Sequence, residues 1–229
     1  MEDVMRGWAA GSFLEVGSGT GYMTQKLLQR GMHGACYELG EEARSQLRKN
    51  LDSFGNNILV LDSLDELEGK SFDYLFAFEV LEHIDGDGDA LSKWASFIKR
   101  GGKVLISVPA HQKKYGKSDE IVGHVRRYER DQMEELLHGA GFGDIKIINY
   151  GFPISELTRP ISNLMIKESS EKQLPMIERS TNSSMKRQSH IQWVIDTVGE
   201  NVFLPFKEVQ RWFYRFDWGD GLMVCATKL

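Results

Sequence analysis

A short acidic and histidine-containing segment follows one of the apolar runs of the sequence. Glu79, Glu82 and His83 stand at positions i, i+3 and i+4 within FEVLEH at 78–83. If this segment forms a helical turn, the spacing places the three side chains on one side of it. Two carboxylates and an imidazole are the groups of an acid/base site or of a site for a hard divalent metal. The segment therefore predicts proton transfer or metal binding.

A second group of polar residues follows the next apolar run. His124 is the best fourth member of the cluster, as a metal ligand or as an alternative base, because a neutral imidazole serves either role near neutral pH. Arg126 and Arg127 are candidate ligands for an acidic group of a substrate, and Tyr128 is a third candidate for substrate binding. In the alternative interpretation, one arginine pairs with an acidic residue at 119–120 to fix the loop. Tyr128 then packs at the start of the next helix.

A glycine-rich segment, LEVGSGTG at 14–21, joins an apolar run to a helical pattern. Glycines in such a turn bring backbone N–H groups close to a ligand at a helix N-terminus. A dinucleotide-binding fingerprint requires its third glycine where Tyr22 stands, so the segment is of another type. The interpretation that these glycines only permit the turn stays open. The candidate ligand-binding residues of the segment are Glu15, Gly17, Ser18, Gly19 and Gly21.

Acidic residues end the next two apolar runs. Glu38 stands at the tip of the second predicted strand, where a carboxylate accepts hydrogen bonds from a ribose diol. Asp62 and Ser63 end the third predicted strand, where an adenine amino group would lie. Open α/β sheets bind ligands at the carboxyl ends of their strands, so these tips and the glycine-rich segment predict a nucleoside-bearing cofactor. The alternative for Glu38 is a solvated strand end.

The elements that must position these residues alternate between strands and helices. Apolar runs predict strands at Phe13–Val16, Gly34–Glu38, Ile58–Leu61, Phe72–Phe78, Gly102–Val108, Asp144–Tyr150 and Gly221–Lys228. Helical patterns between them include Gly21–Arg30, Glu41–Phe54, Asp89–Lys99 and Arg130–Ala140. This alternation predicts a doubly wound α/β fold, with a mostly parallel sheet and helices on both faces.

A stretch of different character separates the last two predicted strands. It contains a polar, Ser-rich tract at Lys167–His190 and an amphipathic helical pattern at Pro205–Phe216. We expect a core of residues 1–151 and 218–229, and a mostly helical insertion of residues 152–217 that caps the acceptor site. Its large apolar residues either pack the added helices or contact a partly apolar acceptor. They include Phe152, Leu164, Met165, Met176, Trp193, Phe203 and Trp212.

The ordered set of these motifs resembles the class I S-adenosylmethionine-dependent methyltransferases over residues 12–150 and the last strand. The set is Glu15-x-Gly17-x-Gly19-x-Gly21, Glu38, Asp62, Phe72-Asp73-Tyr74 and Gly101-Gly102-Lys103-Val104. The resemblance implies S-adenosyl-L-methionine as cofactor and a seven-stranded Rossmann-like sheet of order 3-2-1-4-5-7-6. It also implies that Glu15 and the glycines face the methionine moiety and that Glu38 holds the ribose hydroxyls. Asp62 and Ser63 then lie beside the adenine.

The Glu-x-x-Glu-His pattern is similar to that of ubiquinone-biosynthesis O-methyltransferases and of small-RNA 3′-end 2′-O-methyltransferases. There it is associated with a divalent metal such as Mg²⁺, although it also occurs in methyltransferases with no metal assigned. The resemblance leaves three arrangements open. In the first, Glu79, Glu82, His83 and His124 hold a metal ion. In the second no metal binds, and His83 or His124 accepts a proton beside Glu79. In the third, these side chains have a purely structural role.

Composition and charge limit the function further. The 229 residues carry a net charge of −5, so no global basic field draws the protein to nucleic acid. Cys36 and Cys225 are far apart in apolar runs, which indicates reduced core thiols. We expect no signal peptide, because the first residues lack a basic segment followed by an apolar one. No apolar run approaches the roughly 20 residues that span a bilayer. We therefore expect a cytoplasmic protein without a transmembrane segment.

The predicted activity is methyl transfer from S-adenosylmethionine to a small-molecule acceptor, at a hydroxyl oxygen. We expect the acceptor to be partly apolar or acidic. One alternative is an RNA methyltransferase, which requires a continuous basic groove from Lys113, Lys114, Lys117, Arg126, Arg127, Arg211 and Arg215. Another is a non-catalytic cofactor-binding or interaction protein, against which the titratable residues at 79–83 and 124 argue.

Overall fold

The computed structural model describes residues 1, 3–153, 212–214 and 216–229, and its centre is a seven-stranded sheet. The strands are β1 Ser12–Val16, β2 His33–Tyr37, β3 Ile58–Leu61, β4 Phe72–Phe78, β5 Ile98–Pro109, β6 Phe142–Tyr150 and β7 Gly221–Lys228. Their order across the sheet is β3-β2-β1-β4-β5-β7-β6. Neighbours from β3 to β5 pair in parallel, and β7 runs antiparallel to β5 and β6. The predicted fold class and strand order are confirmed.

Helices follow most of these strands. In the described part of the chain the α-helices are α1 Tyr22–Gln29, α2 Glu41–Leu51, α3 Asp87–Ser96, α4 Lys117–Val122 and α5 Arg130–Gly139. Four of them agree with the helical patterns of the sequence apart from their ends. The short helix α4 lies where the sequence indicated only a loop. None of the described helices has the length and apolar character to cross a bilayer.

Strand β5 begins earlier than its predicted start at Gly102. Phe72 of β4 already pairs with Ile98, and the pairing then shifts register across a bulge before it continues. Gly101, which precedes the regular part, has a φ of 79°, a left-handed conformation that glycine adopts readily. The pair Gly101-Gly102 therefore lies inside an irregular strand and does not mark its beginning.

Two apolar layers cover the faces of the sheet. Successive strand residues point to opposite faces, so Leu14 packs with side chains of α3 and α5, whereas Phe13 packs with those of α1 and α2. Both cysteines lie in strands, are free thiols, and have pKa values raised mainly by burial. This placement agrees with the prediction of core thiols.

The strand ends that carry the predicted site meet at one edge of the sheet. Val16 at the end of β1 lies beside Tyr37 of β2 and Ala77 of β4. On the other side, Tyr150 at the end of β6 lies beside Gly221, the β7 residue that also pairs with the end of β5. The loops that follow β1, β2, β4, β5 and β6 therefore start from the same edge, which we call the carboxyl edge.

Candidate active site

The glycine loop between β1 and α1 requires its glycines for conformational reasons. Gly17, Gly19 and Gly21 have φ values of 73°, 54° and 93°, all in the left-handed region. A Cβ at Gly17 would lie 2.3 Å from Cγ2 of Val80, and a Cβ at Gly21 would lie 2.7 Å from Cδ1 of Leu47. The loop therefore packs directly against the turn after β4 and against α2. The interpretation that these glycines permit the turn is sufficient to explain them. The backbone of the loop lies at the carboxyl edge.

Glu15 places a buried carboxyl group under the glycine loop. The residue is 2% exposed, and its Oε2 accepts a hydrogen bond of 2.5 Å from the hydroxyl of Thr24. Burial raises the pKa of Glu15 to about 8, the hydrogen bond from Thr24 opposes this shift, and the charge of Glu38 adds to it. The buried hydroxyl of Ser18 donates to the carbonyl oxygen of Glu15 at 3.3 Å. At neutral pH this side chain is therefore mainly uncharged.

Glu38 ties the tip of β2 to the glycine loop. Its Oε2 accepts a hydrogen bond of 2.8 Å from the N–H of Gly19, and its Oε1 accepts one of 2.9 Å from the N–H of Gly40. The predicted position at the strand tip, beside the glycine loop, agrees with the structure. Each carboxylate oxygen can accept two hydrogen bonds, so both oxygens retain capacity for further donors.

Asp62 and Ser63 lie farther along the same edge, after β3. The side chain of Asp62 is 71% exposed and its Oδ1 contacts Arg48 at 2.6 Å and Arg44 at 3.1 Å. The hydrogen bond from Arg48 is the main reason that the pKa of Asp62 is lowered. The hydroxyl of Ser63 accepts from the N–H of Asp65 and caps a 3₁₀ turn. An adenine contact at these residues stays a prediction.

Three of the four predicted cluster residues come together after β4. Glu82 is fully buried, and its Oε1 lies 3.7 Å from Nε2 of His124. Nδ1 of His124 lies 2.8 Å from Oδ1 of Asp119, and Nδ1 of His83 lies 3.0 Å from the carbonyl oxygen of Gly123. The two imidazole rings meet edge to face at 4.8 Å. One ligand atom from each of Glu82, His83 and His124 lies within 4.8 Å of the others.

Glu79 does not belong to this group, because the predicted helical turn is not formed. Only Leu81–His83 form a 3₁₀ turn, and Glu79 has a φ of 56°, a left-handed conformation outside any helix. Its Oε1 instead accepts hydrogen bonds of 2.8 Å from the hydroxyls of Ser107 and Tyr150. Neither Ser107 nor Tyr150 is among the site residues predicted from the sequence. The signal that could have found them is their position at the carboxyl ends of β5 and β6.

Arg127 is a buried residue that stabilises the loop after β5. It is 6% exposed, its Nε donates to Oδ1 of Asp119 at 2.9 Å, and its Nη1 donates to Oδ1 of Asp220 at 3.0 Å. Nη1 also donates to the carbonyl oxygen of Ala110. This arrangement corresponds to the alternative interpretation, in which an arginine stabilises the loop. Its charge is compensated by two aspartates.

The neighbouring candidates for substrate binding have structural partners as well. Arg126 forms an ion pair of 2.5 Å with Asp87 and donates to the carbonyl oxygen of Asp85. Tyr128 is 2% exposed, and its hydroxyl donates to Asp87 at 2.9 Å and lies 3.2 Å from the carbonyl oxygen of Leu81. Burial places Tyr128 in the core, as the packing interpretation predicts.

These pairings also remove part of the basic groove that RNA binding would require. Besides the two paired arginines, Lys114 donates from Nζ to the carbonyl oxygens of Trp218 and Gly219. Arg211 and Arg215 lie outside the described residues. Among the residues that the structure describes, several of the proposed cations therefore already bind oxygen atoms of the protein.

A second polar group at the carboxyl edge was not predicted. His111 is 3% exposed and has a φ of 65°, its Nδ1 lies 3.0 Å from Glu129, and its Nε2 lies 3.7 Å from Asp217. Arg130 and the amide of Asn149 both donate to the same Oδ1 of Asp217. Because that carboxylate is already bound by a cation and an amide, we interpret the group as an ion network. It ties the residues before β7 to β5, β6 and α5.

Much of the predicted insertion, residues 152–217, lies outside the described residues. The tract Lys167–His190 lies outside them entirely, and the predicted helix Pro205–Phe216 is described only at 212–214 and 216. The same holds for Leu164, Met165, Met176, Trp193 and Phe203.

The described residues at the two ends of the insertion form an aromatic group. The ring of Phe152 lies 4.8 Å from that of Phe213 and 5.4 Å from that of Trp218, centroid to centroid. Phe216 stacks on Trp218 at 4.8 Å. These rings lie where β6 ends and β7 begins. The aromatic group is therefore part of the carboxyl edge.

Comparison with known proteins agrees with this combination of sheet order and glycine loop. Residues 6–147 match the family described as "Methyltransferase domain". The match covers more than half of the chain, and the chain belongs to this methyltransferase family.

The individual relatives share only a limited part of their sequence with this chain. An uncharacterized methyltransferase of Geobacillus sp. is 31% identical over 114 residues, covering 46% of this chain and 52% of the relative. A ubiquinone biosynthesis O-methyltransferase of Hahella chejuensis is 28% identical over 98 residues, covering 41% of each chain. The chain thus matches about half the length of these curated relatives.

A solved structure shows the same fold. Phosphoethanolamine N-methyltransferase 2 of Haemonchus contortus, in complex with S-adenosyl-L-methionine, superposes with a TM-score of 0.57 at 17% identity. The match covers 98% of this chain and 51% of that chain. At this identity the comparison concerns the fold alone.

Proposed function

We propose that the protein transfers the methyl group of S-adenosylmethionine to a hydroxyl oxygen of a small-molecule acceptor. The observation that carries this proposal is the contact between the glycine loop and the turn after β4. A Cβ at Gly17 would lie 2.3 Å from Val80, three residues before His83. A cofactor held by this loop would therefore lie beside the imidazole groups. The ubiquinone biosynthesis O-methyltransferases among the relatives support an oxygen acceptor.

The proposed cofactor contacts follow the strands along the carboxyl edge. Glu38 accepts hydrogen bonds from the ribose hydroxyls with the capacity that its backbone donors leave. Asp62 and Ser63 lie beside the adenine. The residues proposed to face the methionine moiety are Glu15, Gly17, Ser18, Gly19 and Gly21.

The proposed chemistry is in-line transfer with removal of the acceptor's proton. The sulfonium is already a strong electrophile, so the protein has to orient the acceptor oxygen and take its proton. His83 faces a carbonyl oxygen with Nδ1, and since a carbonyl only accepts, Nδ1 carries the proton and Nε2 is the basic nitrogen. His124 lies between the carboxylates of Asp119 and Glu82, which stabilise positive charge on the imidazole pair. His83 is thus the proposed base and His124 its electrostatic support.

The basic residues of the loop have a different role in this proposal from the one first expected. Arg126 and Arg127 are each paired with aspartates and Tyr128 is buried, so we propose that they support the loop that carries His124. None of these three residues therefore offers an unpaired cation to an acidic acceptor. The RNA and non-catalytic alternatives receive no support from the comparisons or from the described side chains.

A divalent metal is compatible with part of the cluster. Glu82, His83 and His124 together offer one carboxylate and two imidazoles, a set typical of transition metals, whereas Mg²⁺ prefers oxygen ligands. An ion held there would lower the pKa of the acceptor hydroxyl as a Lewis acid. Glu79 would not be a ligand, since its carboxylate is bound to Ser107 and Tyr150. The proposed proton transfer to His83 does not depend on an ion.

The experiment measures transfer of a labelled methyl group from S-adenosylmethionine to a panel of phenols and aliphatic alcohols. We expect O-methylated product with the wild type, and a rate that rises with pH as the imidazole base loses its proton. The double variant His83→Ala, His124→Ala should lose about 100-fold or more of the rate, the usual contribution of a general base. Bound S-adenosylhomocysteine serves as the measure that this variant is folded.

The matched control is His33→Ala, because His33 is an exposed histidine at the start of β2, at the opposite edge of the sheet. It should retain the wild-type rate. Full activity in the double variant would reject the assignment of the base. Activity that survives exhaustive chelation would reject a metal, and activity restored only by an added ion would make His83 a ligand.

A further inference from the structure

Side chains at the carboxyl ends of three strands form a polar group at the carboxyl edge. Glu79 follows β4, Ser107 lies near the end of β5, and Tyr150 ends β6. Both hydroxyls donate to Oε1 of Glu79 at 2.8 Å. Among the residues that the structure describes, Oε2 of Glu79 accepts no hydrogen bond. The carboxylate is therefore held in orientation through one oxygen while the other retains its capacity to accept.

The backbone at Glu79 is shaped to present this side chain. Its φ of 56° is a conformation that residues with a side chain rarely adopt, and its N–H donates to the carbonyl oxygen of Ser107 at 2.9 Å. The next residue, Val80, packs against the glycine loop. Glu79 is only partly buried, so a small molecule at the carboxyl edge can reach it.

The two donors stay uncharged, and the carboxylate supplies the charge of the group. Burial raises the pKa of Tyr150 well above its usual range, and the charge of Glu79 raises it further. Tyr150 is therefore a phenol that donates throughout the working pH range. Among the described residues, no lysine or arginine forms an ion pair with Glu79. Arg126 and Arg127, which follow β5 in the sequence, are paired with aspartates.

The surroundings of Tyr150 add an apolar wall. Phe152, two residues beyond it, contacts the rings of Phe213 and Trp218. The carboxyl edge thus carries aromatic rings at the end of β6 and a negative carboxylate at the end of β4. Aromatic faces also attract cations and pack well against flat apolar bodies.

We propose that Glu79, oriented by Ser107 and Tyr150, anchors the acceptor by accepting a hydrogen bond from a second polar group of the acceptor. The site thereby selects acceptors with an apolar or aromatic body and a neutral or cationic donor, and it excludes anionic ones. This inference rests on the proposed function and names its substrate class. Ser107 and Tyr150 act as positioning residues, because they touch the anchoring carboxylate and not the reacting oxygen.

The test measures binding of three probes to the protein saturated with S-adenosylhomocysteine. Tyramine, tyrosol and 4-hydroxyphenylacetate share a phenol ring and carry an ammonium, a hydroxyl and a carboxylate group. We expect tyramine and tyrosol to bind at least about tenfold more tightly than the carboxylate at low ionic strength, since like charges repel across a partly buried site. Affinities come from the chemical-shift changes of the probes at millimolar concentration.

Two variants separate charge from position. Glu79→Gln keeps the shape and should bring tyramine and 4-hydroxyphenylacetate to within about threefold of each other, because the repulsive charge is gone. Tyr150→Phe keeps the charge, so it should preserve the order of the probes while it weakens tyrosol. The control Glu134→Gln removes an exposed carboxylate of α5 and should leave all three affinities unchanged.

The inference is overturned if the wild type binds the carboxylate probe best, if no probe binds, or if Glu79→Gln leaves the charge preference intact. These outcomes do not require turnover. Probe selectivity without any methyl transfer would contradict the proposed function and leave the anchoring site standing. Methyl transfer without probe selectivity would support the proposed function and contradict the anchoring site.

Discussion

At the scale of single residues, Glu15 shows how burial changes the chemistry of a carboxyl group. The residue precedes the last residue of β1, under the glycine loop, and burial is the main reason that its pKa is raised from 4.5 to about 8. The folded protein therefore holds a proton that the unfolded chain releases above pH 4.5. Since the folded state binds more protons across this range, the free energy of unfolding decreases as the pH rises from about 4.5 to above 8.

We predict that Glu15→Gln flattens this pH dependence. A glutamine keeps an oxygen for the hydroxyl of Thr24 but carries no charge to bury. The wild type should lose on the order of a few kcal/mol of unfolding free energy between pH 5 and 9, since each pKa unit corresponds to about 1.4 kcal/mol. Urea denaturation at several pH values measures the difference. Glu42→Gln, at an exposed position of α2, should follow the wild type; equal slopes in all three proteins would contradict the prediction.

Glu38 is the residue whose loss should most directly weaken binding of the cofactor. Its carboxylate is proposed to accept hydrogen bonds from both ribose hydroxyls, and hydrogen bonds to a charged group contribute about 1.5–3 kcal/mol. We predict that Glu38→Ala lowers the affinity for S-adenosylhomocysteine at least tenfold, as measured by calorimetry.

Glu38 also holds the N–H groups of Gly19 and Gly40, so the measurement needs a second variant. Glu38→Gln retains acceptor capacity on one oxygen and should show a smaller loss than the alanine variant. Glu42→Ala, a nearby exposed carboxylate on α2, should bind normally. Unchanged affinity in Glu38→Ala would remove the ribose assignment.

At the scale of elements, the loop after β5 is positioned by one buried carboxylate. Asp119 in α4 accepts from the N–H of Gly116, from Nδ1 of His124 and from Nε of Arg127. Arg127 also donates from Nη1 to Asp220, just before β7. The network links the loop that carries His124 to a strand about a hundred residues later. The same carboxylate caps the N-terminus of α4 through the N–H of Gly116.

We predict that Asp119→Asn destabilises the protein by about 2–4 kcal/mol, because it leaves the buried guanidinium of Arg127 with a single carboxylate partner. Urea denaturation gives the loss. Glu120→Gln removes the adjacent exposed carboxylate of the same helix and should change stability by less than about 0.5 kcal/mol. A loss of equal size in the two variants would show that the charge of the helix, and not this network, is responsible.

At the scale of the whole molecule, the insertion is connected to the sheet at the proposed acceptor site. The chain leaves β6 after Tyr150 and returns just before β7, and the N–H of Asp220 donates to the carbonyl oxygen of Tyr150 at 2.8 Å. The two connections therefore lie next to each other at the carboxyl edge. This position is why we propose that residues 152–217 cover the bound acceptor.

We predict that hydrogen exchange in peptides from residues 154–211 slows when S-adenosylhomocysteine and a bound acceptor analogue such as tyrosol are both present, because a cover over the site gains contacts with its ligands. Mass spectrometry of the exchanged peptides measures the change. Peptides from β3, at the far side of the sheet, provide the internal reference. Exchange in this segment as slow as in the core strands before any ligand is added would defeat the proposal.

Local patterns in the sequence determine the sheet, the glycine loop and the position of Glu38. Apolar runs of strand length and glycine-marked turns are properties of neighbouring residues, and parallel strands bring their carboxyl ends to one edge whatever their separation along the chain. Glu38 and Gly19 could therefore be placed together before any side-chain contact was known. The spacing of Glu82, His83 and His124 likewise pointed to one cluster, since two of them are adjacent in sequence.

Only the tertiary structure decides which partner each charged side chain selects. Glu79 binds Tyr150, 71 residues away, and its backbone lies outside the helical region that the spacing predicted. Arg127 pairs with Asp119 and with Asp220, 93 residues away, so a residue that the sequence presents as a substrate ligand becomes a buried support. Such choices depend on which donors and acceptors packing brings within hydrogen-bonding distance and on the free-energy cost of burying a charge alone. Neither quantity is contained in residue type or spacing.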